Sequence, residues 1–155
     1  MKLDFPIRTI FYAIDETIRE YRKFSLSNLN RVDPDMTVDQ FMVLTLLEAE
    51  PQYSQADIAN LIFRDNASIT RMIESMVRKG YLSRSVDPED RRRFKLRCTA
   101  KGERALEQLA PTIRANRKQA LEGVSQEELE QLSRTLKKIT ANCRQSRLRE
   151  AEQRK

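Results

Sequence analysis

Between Gly80 and Thr99 the apolar residues of this chain change period. Elsewhere they recur at steps of three and four, the spacing of one helix face. Here "YLSRSV" (81–86) and "RFKLRC" (93–98) alternate, which is the spacing of a strand. "DPED" between them is a turn, with Asp first and Pro second. A chain with a single such break is a helical protein carrying one hairpin. Three glycines and five prolines in 155 residues agree with that. In the second strand Phe94, Leu96 and Cys98 share one face and Arg93, Lys95 and Arg97 the other. Arg84 is expected to join the outward, basic side from the first strand.

The helical spacing resolves into separate elements. After Pro6, Ile7, Ile10, Phe11, Ile14, Ile18 and Tyr21 form one face of a long amphipathic helix. "RVDPDMT" breaks it. Thr37 and Gln40 then have capping-box spacing ahead of Phe41, Leu44 and Leu47. Ser54 is placed to cap a short third helix with Ile58 and Leu61 inward. A fourth presents Ile69, Met72, Ile73, Met76 and Val77 to the core and ends at Gly80. Thr99 opens a fifth, with Leu106, Leu109 and Ile113 on one face and Pro111 predicting a kink. Ser125 and Glu128 begin a sixth. Its apolar residues Leu129, Leu132, Leu136, Ile139 and Cys143 make a narrow seam, suited to one partner helix.

Charge is unevenly placed along this order. Residues 1–62 carry a net −4, residues 63–104 a net +6 and residues 105–155 a net +4. The segment holding the fourth helix and the hairpin thus matches the +6 of the whole chain. Such asymmetry favours a polyanionic partner, nucleic acid above all. Other functions lose support. With no histidine, and with Cys98 and Cys143 far apart, a zinc site of the usual kind is not expected. Isolated glycines build no phosphate-cradling loop. No catalytic residue set can be named, so the chain reads as a non-enzyme without a cofactor. No apolar run approaches a signal or membrane segment, and a cytoplasmic location without membrane contact is expected.

Helix, helix, short helix, turn, helix, hairpin and two long helices is the order of a winged helix-turn-helix with additions at both ends. At this point the residues resemble a known family. "SQADIANLIFRDNASITRMIESMVRKGYLSRSVDPEDRRRFKLRCTAKG" is similar to the DNA-binding core of the MarR family, the multiple antibiotic resistance regulators. The pattern "DxRxxxxxLTxxG" is met by Asp90, Arg92, Cys98, Thr99 and Gly102, with Cys98 in place of the usual leucine. "LIFRDN" lacks the glycine often found in that turn, and the first helix lacks the cysteine of peroxide-sensing relatives. The resemblance implies a mainly α fold over 1–155, with a winged lobe at 37–99. Residues 5–30 and 100–145 would be dimerisation helices and 146–155 a charged tail. It also implies a homodimer on a pseudo-palindromic operator, and repression relieved by a small phenolic or anionic effector.

The residue roles follow from this order. Ser68, Thr70 and Arg71 lie on the outer side of the fourth helix, where polar side chains meet base edges and free N–H groups meet phosphate. Asn66 reads either as the cap of that helix or as a phosphate contact, and Ser54 likewise for the third helix, with Gln55 beside it. Arg92 would enter the minor groove, oriented by Asp90, with Arg91 and Arg93 on the flanking phosphates. Arg84, Lys95 and Arg97 would face phosphate or simply solvent. Cys98 and Cys143 read as small apolar packing residues. Tyr12, Tyr21 and Met36 read first as core, and as lining of an effector pocket only second. The alternative to DNA binding is a winged-helix adaptor whose basic surface holds an acidic protein.

Overall fold

A computed structural model describes residues 9–86 and 94–153. Among these residues six helices and one hairpin follow in the expected order: α1 (Ile10–Leu29), α2 (Val38–Ala49), α3 (Gln55–Leu61), α4 (Asn66–Arg78), β1 (Leu82–Val86), β2 (Phe94–Cys98), α5 (Ala100–Ala120) and α6 (Gln126–Gln153). They divide into two compact units, residues 1–120 and residues 121–155.

The start signals legible in the sequence are used. Thr37 and Gln40 form a reciprocal capping box on α2, the Gln40 N–H donating to Thr37 Oγ1 at 3.2 Å and the Thr37 N–H to Gln40 Oε1 at 3.0 Å. Gly80 ends α4 with φ 77°, where its N–H bonds the Val77 carbonyl and that of Tyr81 bonds the Met76 carbonyl. Only a left-handed residue closes both bonds, and glycine adopts that conformation without a Cβ penalty.

In the first unit the winged lobe has one core. Met36, Leu44, Ile58, Ile62, Ile69, Ile73, Met76, Leu82 and Leu96 are all but fully buried in it, each side chain contributing about 1.5–3 kcal/mol relative to exposure. Leu109 and Ile113 of α5 and Leu29 of α1 belong to the same cluster. The α5 helix runs unbroken through Pro111.

α1 and α5 also share a polar clasp. The Asn116 amide donates to Ser25 Oγ at 3.0 Å and accepts from Asn28 Nδ2 at 2.7 Å, both Ser25 and Asn116 being buried. A buried amide satisfied on both ends fixes the relation of two helices more narrowly than apolar contact does. Further along α1, Ile10, Phe11 and Ile18 stay exposed, so its apolar face is only partly used within the unit.

Leu61 departs from expectation. It is 42% exposed, and Ile62 takes the inward place at 1%. The cause is the chain's turn at Phe63, whose φ of 56° swings the backbone out of the helix right after Ile62. Phe63 is thus the non-glycine residue occupying the left-handed turn that the sequence leaves without a glycine. That conformation costs a residue with a Cβ about 1–2 kcal/mol.

Asp39, nearly buried at the start of α2, holds this turn in place. It accepts from Arg22 of α1 at 3.2 Å and from Arg64 Nε at 2.9 Å. One carboxylate thereby ties α1, α2 and the entrance to α4 together.

The second unit is α6 with its leading turn. Ser125 and Glu128 form the expected capping pair, with the Ser125 N–H donating to Glu128 Oε2 at 2.8 Å and the Glu128 N–H to Ser125 Oγ at 3.2 Å. The charged residues 146–153 continue the helix. No residue of α6 is buried. Leu129, Leu136 and Ile139 are partly covered, while Leu132 and Cys143 are exposed.

Candidate nucleic-acid interface

The outer face of α4 is the functional surface the sequence points to. Ile69 and Ile73 turn into the core, which sets Asn66, Ala67, Arg71, Glu74 and Arg78 on the exposed side, with Thr70 and Ser68 partly covered. The residue that starts the helix is Asp65, not Asn66. The Asp65 carboxylate accepts the Ser68 N–H at 2.8 Å and the Ser68 hydroxyl at 2.7 Å. Both are N-cap residue types, and Asp65 wins because Ser68 lies at its third helical position. Asn66 becomes the first residue of the helix and stays exposed. The Ser68 hydroxyl and then its N–H hold the Asp65 carboxyl below the usual carboxylate range. An anion on the helix N-terminus also alters the expected phosphate site, since the Ser68 N–H already has a negative partner.

The remaining polar groups of this face are engaged to different degrees. Ser54 is the cap of α3: its hydroxyl accepts the Asp57 N–H at 3.2 Å and donates to Asp57 Oδ2 at 2.6 Å. Gln55 reaches across to α4, its amide donating to Thr70 Oγ1 at 2.6 Å. Thr70 Oγ1 in turn donates to the Asn66 carbonyl at 2.8 Å. Arg71 makes a long 3.4 Å contact to Ser68 Oγ, and its charge also acts on the Asp65 carboxylate. It is the exposed cation at the middle of the face, with five donors and a long reach.

The hairpin is antiparallel, with Leu82 opposite Cys98, Arg84 opposite Leu96 and Val86 opposite Phe94. Directly opposed residues share a face. Arg84 therefore lies on the apolar face and not on the outward basic one. Its guanidinium carbon sits 3.6 Å from the centroid of the half-exposed Phe94 ring, a cation–π contact that lets a charge occupy an apolar row. Lys95 and Arg97 stand on the opposite face, Arg97 exposed. The expected wing-tip residues Asp90, Arg91, Arg92 and Arg93 lie outside the described residues.

At the base of the hairpin the Thr99–Gly102 motif has a packing role. The Thr99 hydroxyl donates to the Gly80 carbonyl at 2.6 Å and accepts the Gly102 N–H at 3.2 Å. A Cβ on Gly102 would stand 2.3 Å from the Tyr81 carbonyl oxygen. The first turn of α5 thus presses on the end of the α4–β1 connection. Cys98 beside it is partly covered, and burial pushes its thiol up to about 11. Cys98 is accordingly a protonated packing residue and a poor nucleophile at neutral pH.

A cavity of about 380 Å³ lies between α1 and α5, lined by Thr17, Glu20, Tyr21, Phe24, Gln119 and Ala120. Tyr21 is on its wall, whereas Met36 is fully buried in the core. Four features of the sites escaped sequence reasoning: the Asp65 cap, the Arg64–Asp39 pair, the Gln55–Thr70 bond and the Arg84–Phe94 stack. Only the first left a local signal, an Asp three residues ahead of Ser68. The others join residues that come together through the fold.

Comparison with known proteins agrees with this geometry. The model of the MarR family matches residues 36–94. The HTH-type transcriptional regulator SarZ of Staphylococcus haemolyticus is 28% identical over 135 residues, which is 86% of this chain and 85% of that protein. A mutant MarR from E. coli complexed with operator DNA shares the fold with a TM-score of 0.78 at 22% identity, covering 86% of this chain and 94% of that one. So does BpsR of Bordetella bronchiseptica, solved to explain regulation of its DNA binding by 6-hydroxynicotinic acid. Its TM-score is 0.75 at 21% identity, over 89% and 97% of the two chains. The winged lobe, from Met36 into β2, is thus the part of the chain that matches the MarR family, and the solved structures share the chain's fold.

Proposed function

We propose that the chain is a homodimeric transcriptional regulator that binds double-stranded DNA at a pseudo-palindromic operator. The observation carrying this is the outer face of α4. Its N-terminus is fixed by Asp65, it is bonded to α3 through Gln55, and it presents the exposed Arg71 at its centre. A rigid helix with a long bidentate donor fits the major groove, where arginine recognises guanine. Asn66, Ser68 and Thr70 flank that contact, while Ser54, Lys95 and Arg97 approach the backbone. Asp90, Arg91, Arg92 and Arg93 form the wing contact in this reading, with Arg92 in the minor groove. The exposed apolar side of α1 and the seam of α6 supply the dimer surfaces.

Regulation is repression released by a small phenolic or anionic effector, taken up beside α1 and α5. Such a molecule acts by its differential affinity for two dimer states, one of which misplaces the α4 helices. Among the described residues no helix is long and apolar enough to cross a membrane, and the reading places the protein with the DNA in the cytoplasm. Selection of bound duplexes from a random pool tests the proposal, repeated with candidate effectors. An inverted repeat with half-sites about one helical turn apart is expected. Recovery of no preferred sequence, together with capture of acidic proteins, supports the adaptor reading instead.

A further inference from the structure

Thr70 stands in the middle of the outer α4 face, one turn after Asn66 and one before Glu74. Its hydroxyl has one proton, and that proton is given to the Asn66 carbonyl at 2.8 Å. The same oxygen accepts the Gln55 amide at 2.6 Å. One bond lies within α4 and the other crosses to α3, so turning the hydroxyl toward a base breaks both. A threonine offers a base edge a hydroxyl and a methyl group, and here the hydroxyl has given its proton to Asn66 and one lone pair to Gln55, so it has no donor left for a base. Restriction of χ1 in a helix then holds the methyl as well, because both are carried on the same β-carbon. In the major groove thymine alone presents a methyl group, and apolar contact is how it is read.

We propose that Thr70 is a specificity-determining residue that reads a thymine 5-methyl through its own methyl. Gln55 acts as a positioning residue, keeping the hydroxyl out of the groove. The inference rests on the DNA-binding reading above and adds to it the identity of one base.

Replacing thymine by deoxyuridine removes the methyl and nothing else, so the test is a uracil scan of the selected operator. Binding is measured as the ratio of thymine to uracil affinity within each protein variant, which cancels differences in folded fraction. For the wild type, one thymine per half-site should lose about fourfold on replacement, the worth of one buried methyl-sized group. Thr70→Ser keeps the hydroxyl and should bring that ratio to about one. Thr70→Val keeps a methyl and should retain the fourfold ratio. The proposal is overturned if the wild type ignores every replacement in a site it binds selectively. It is equally overturned if Thr70→Ser keeps the ratio or Thr70→Val loses it. A wild type with no preferred duplex overturns the DNA-binding reading itself, a result recognised by the absence of any operator to scan.

Discussion

At Gly102 a hydrogen atom occupies the place where any other residue would put carbon against a carbonyl. A β-carbon there would lie 2.3 Å from the Tyr81 oxygen and 3.3 Å from Leu44 Cδ2. A side-chain neighbour can move aside, but this carbonyl also accepts the Thr99 N–H at 3.1 Å and is anchored. Gly102→Ala should therefore destabilise the protein by about 3 kcal/mol, the upper end of overpacking costs, as measured by urea unfolding. Gly123→Ala is the reference, since nothing lies within 4 Å of its Cβ and only its φ of 77° is strained. It should cost about 1 kcal/mol. Equal costs would contradict the packing account of Gly102. The glycine itself was legible as part of "DxRxxxxxLTxxG", but its reason was not, because Tyr81 reaches it across the whole hairpin. Arg84 shows the reverse. Alternation alone assigns it to the face of Leu82 and Val86, and its charge argued otherwise. Phe94 resolves the conflict by giving the cation an aromatic surface.

Among the elements, α6 has the least support from its own residues. It is 28 residues long with none buried, and Leu132 is 51% exposed. A helix of that length with a leucine seam needs a second apolar surface, and the dimer reading supplies one. Leu132→Glu combined with Leu136→Glu should yield monomers or insoluble chains in sedimentation analysis. A well-folded wild-type monomer would contradict the dimer. Helix order and the starts at Thr37, Ser54 and Ser125 could be read from sequence because caps are local chemistry. The end of α3 could not, since whether Leu61 or Ile62 faces inward depends on the left-handed turn at Phe63. Nor could the ties of Asp39 to Arg22 and Arg64, which span three elements.

For the molecule as a whole, the charge distribution and the α4 face make the same claim. The segment 63–104 carries the net +6, and within it α4 is positioned by Asp65, Gln55 and the Arg64–Asp39 pair. A dimer would double that surface and displace counterions from two half-sites at once. The direct measurement is the affinity for the selected operator, and for a scrambled duplex of equal length, across a series of salt concentrations. With about eight phosphates neutralised, log K should fall against log salt with a slope of about −7, and the operator should bind more tightly than the scrambled duplex at every salt concentration. A slope near zero, or equal affinity for both duplexes, would contradict sequence-specific DNA binding.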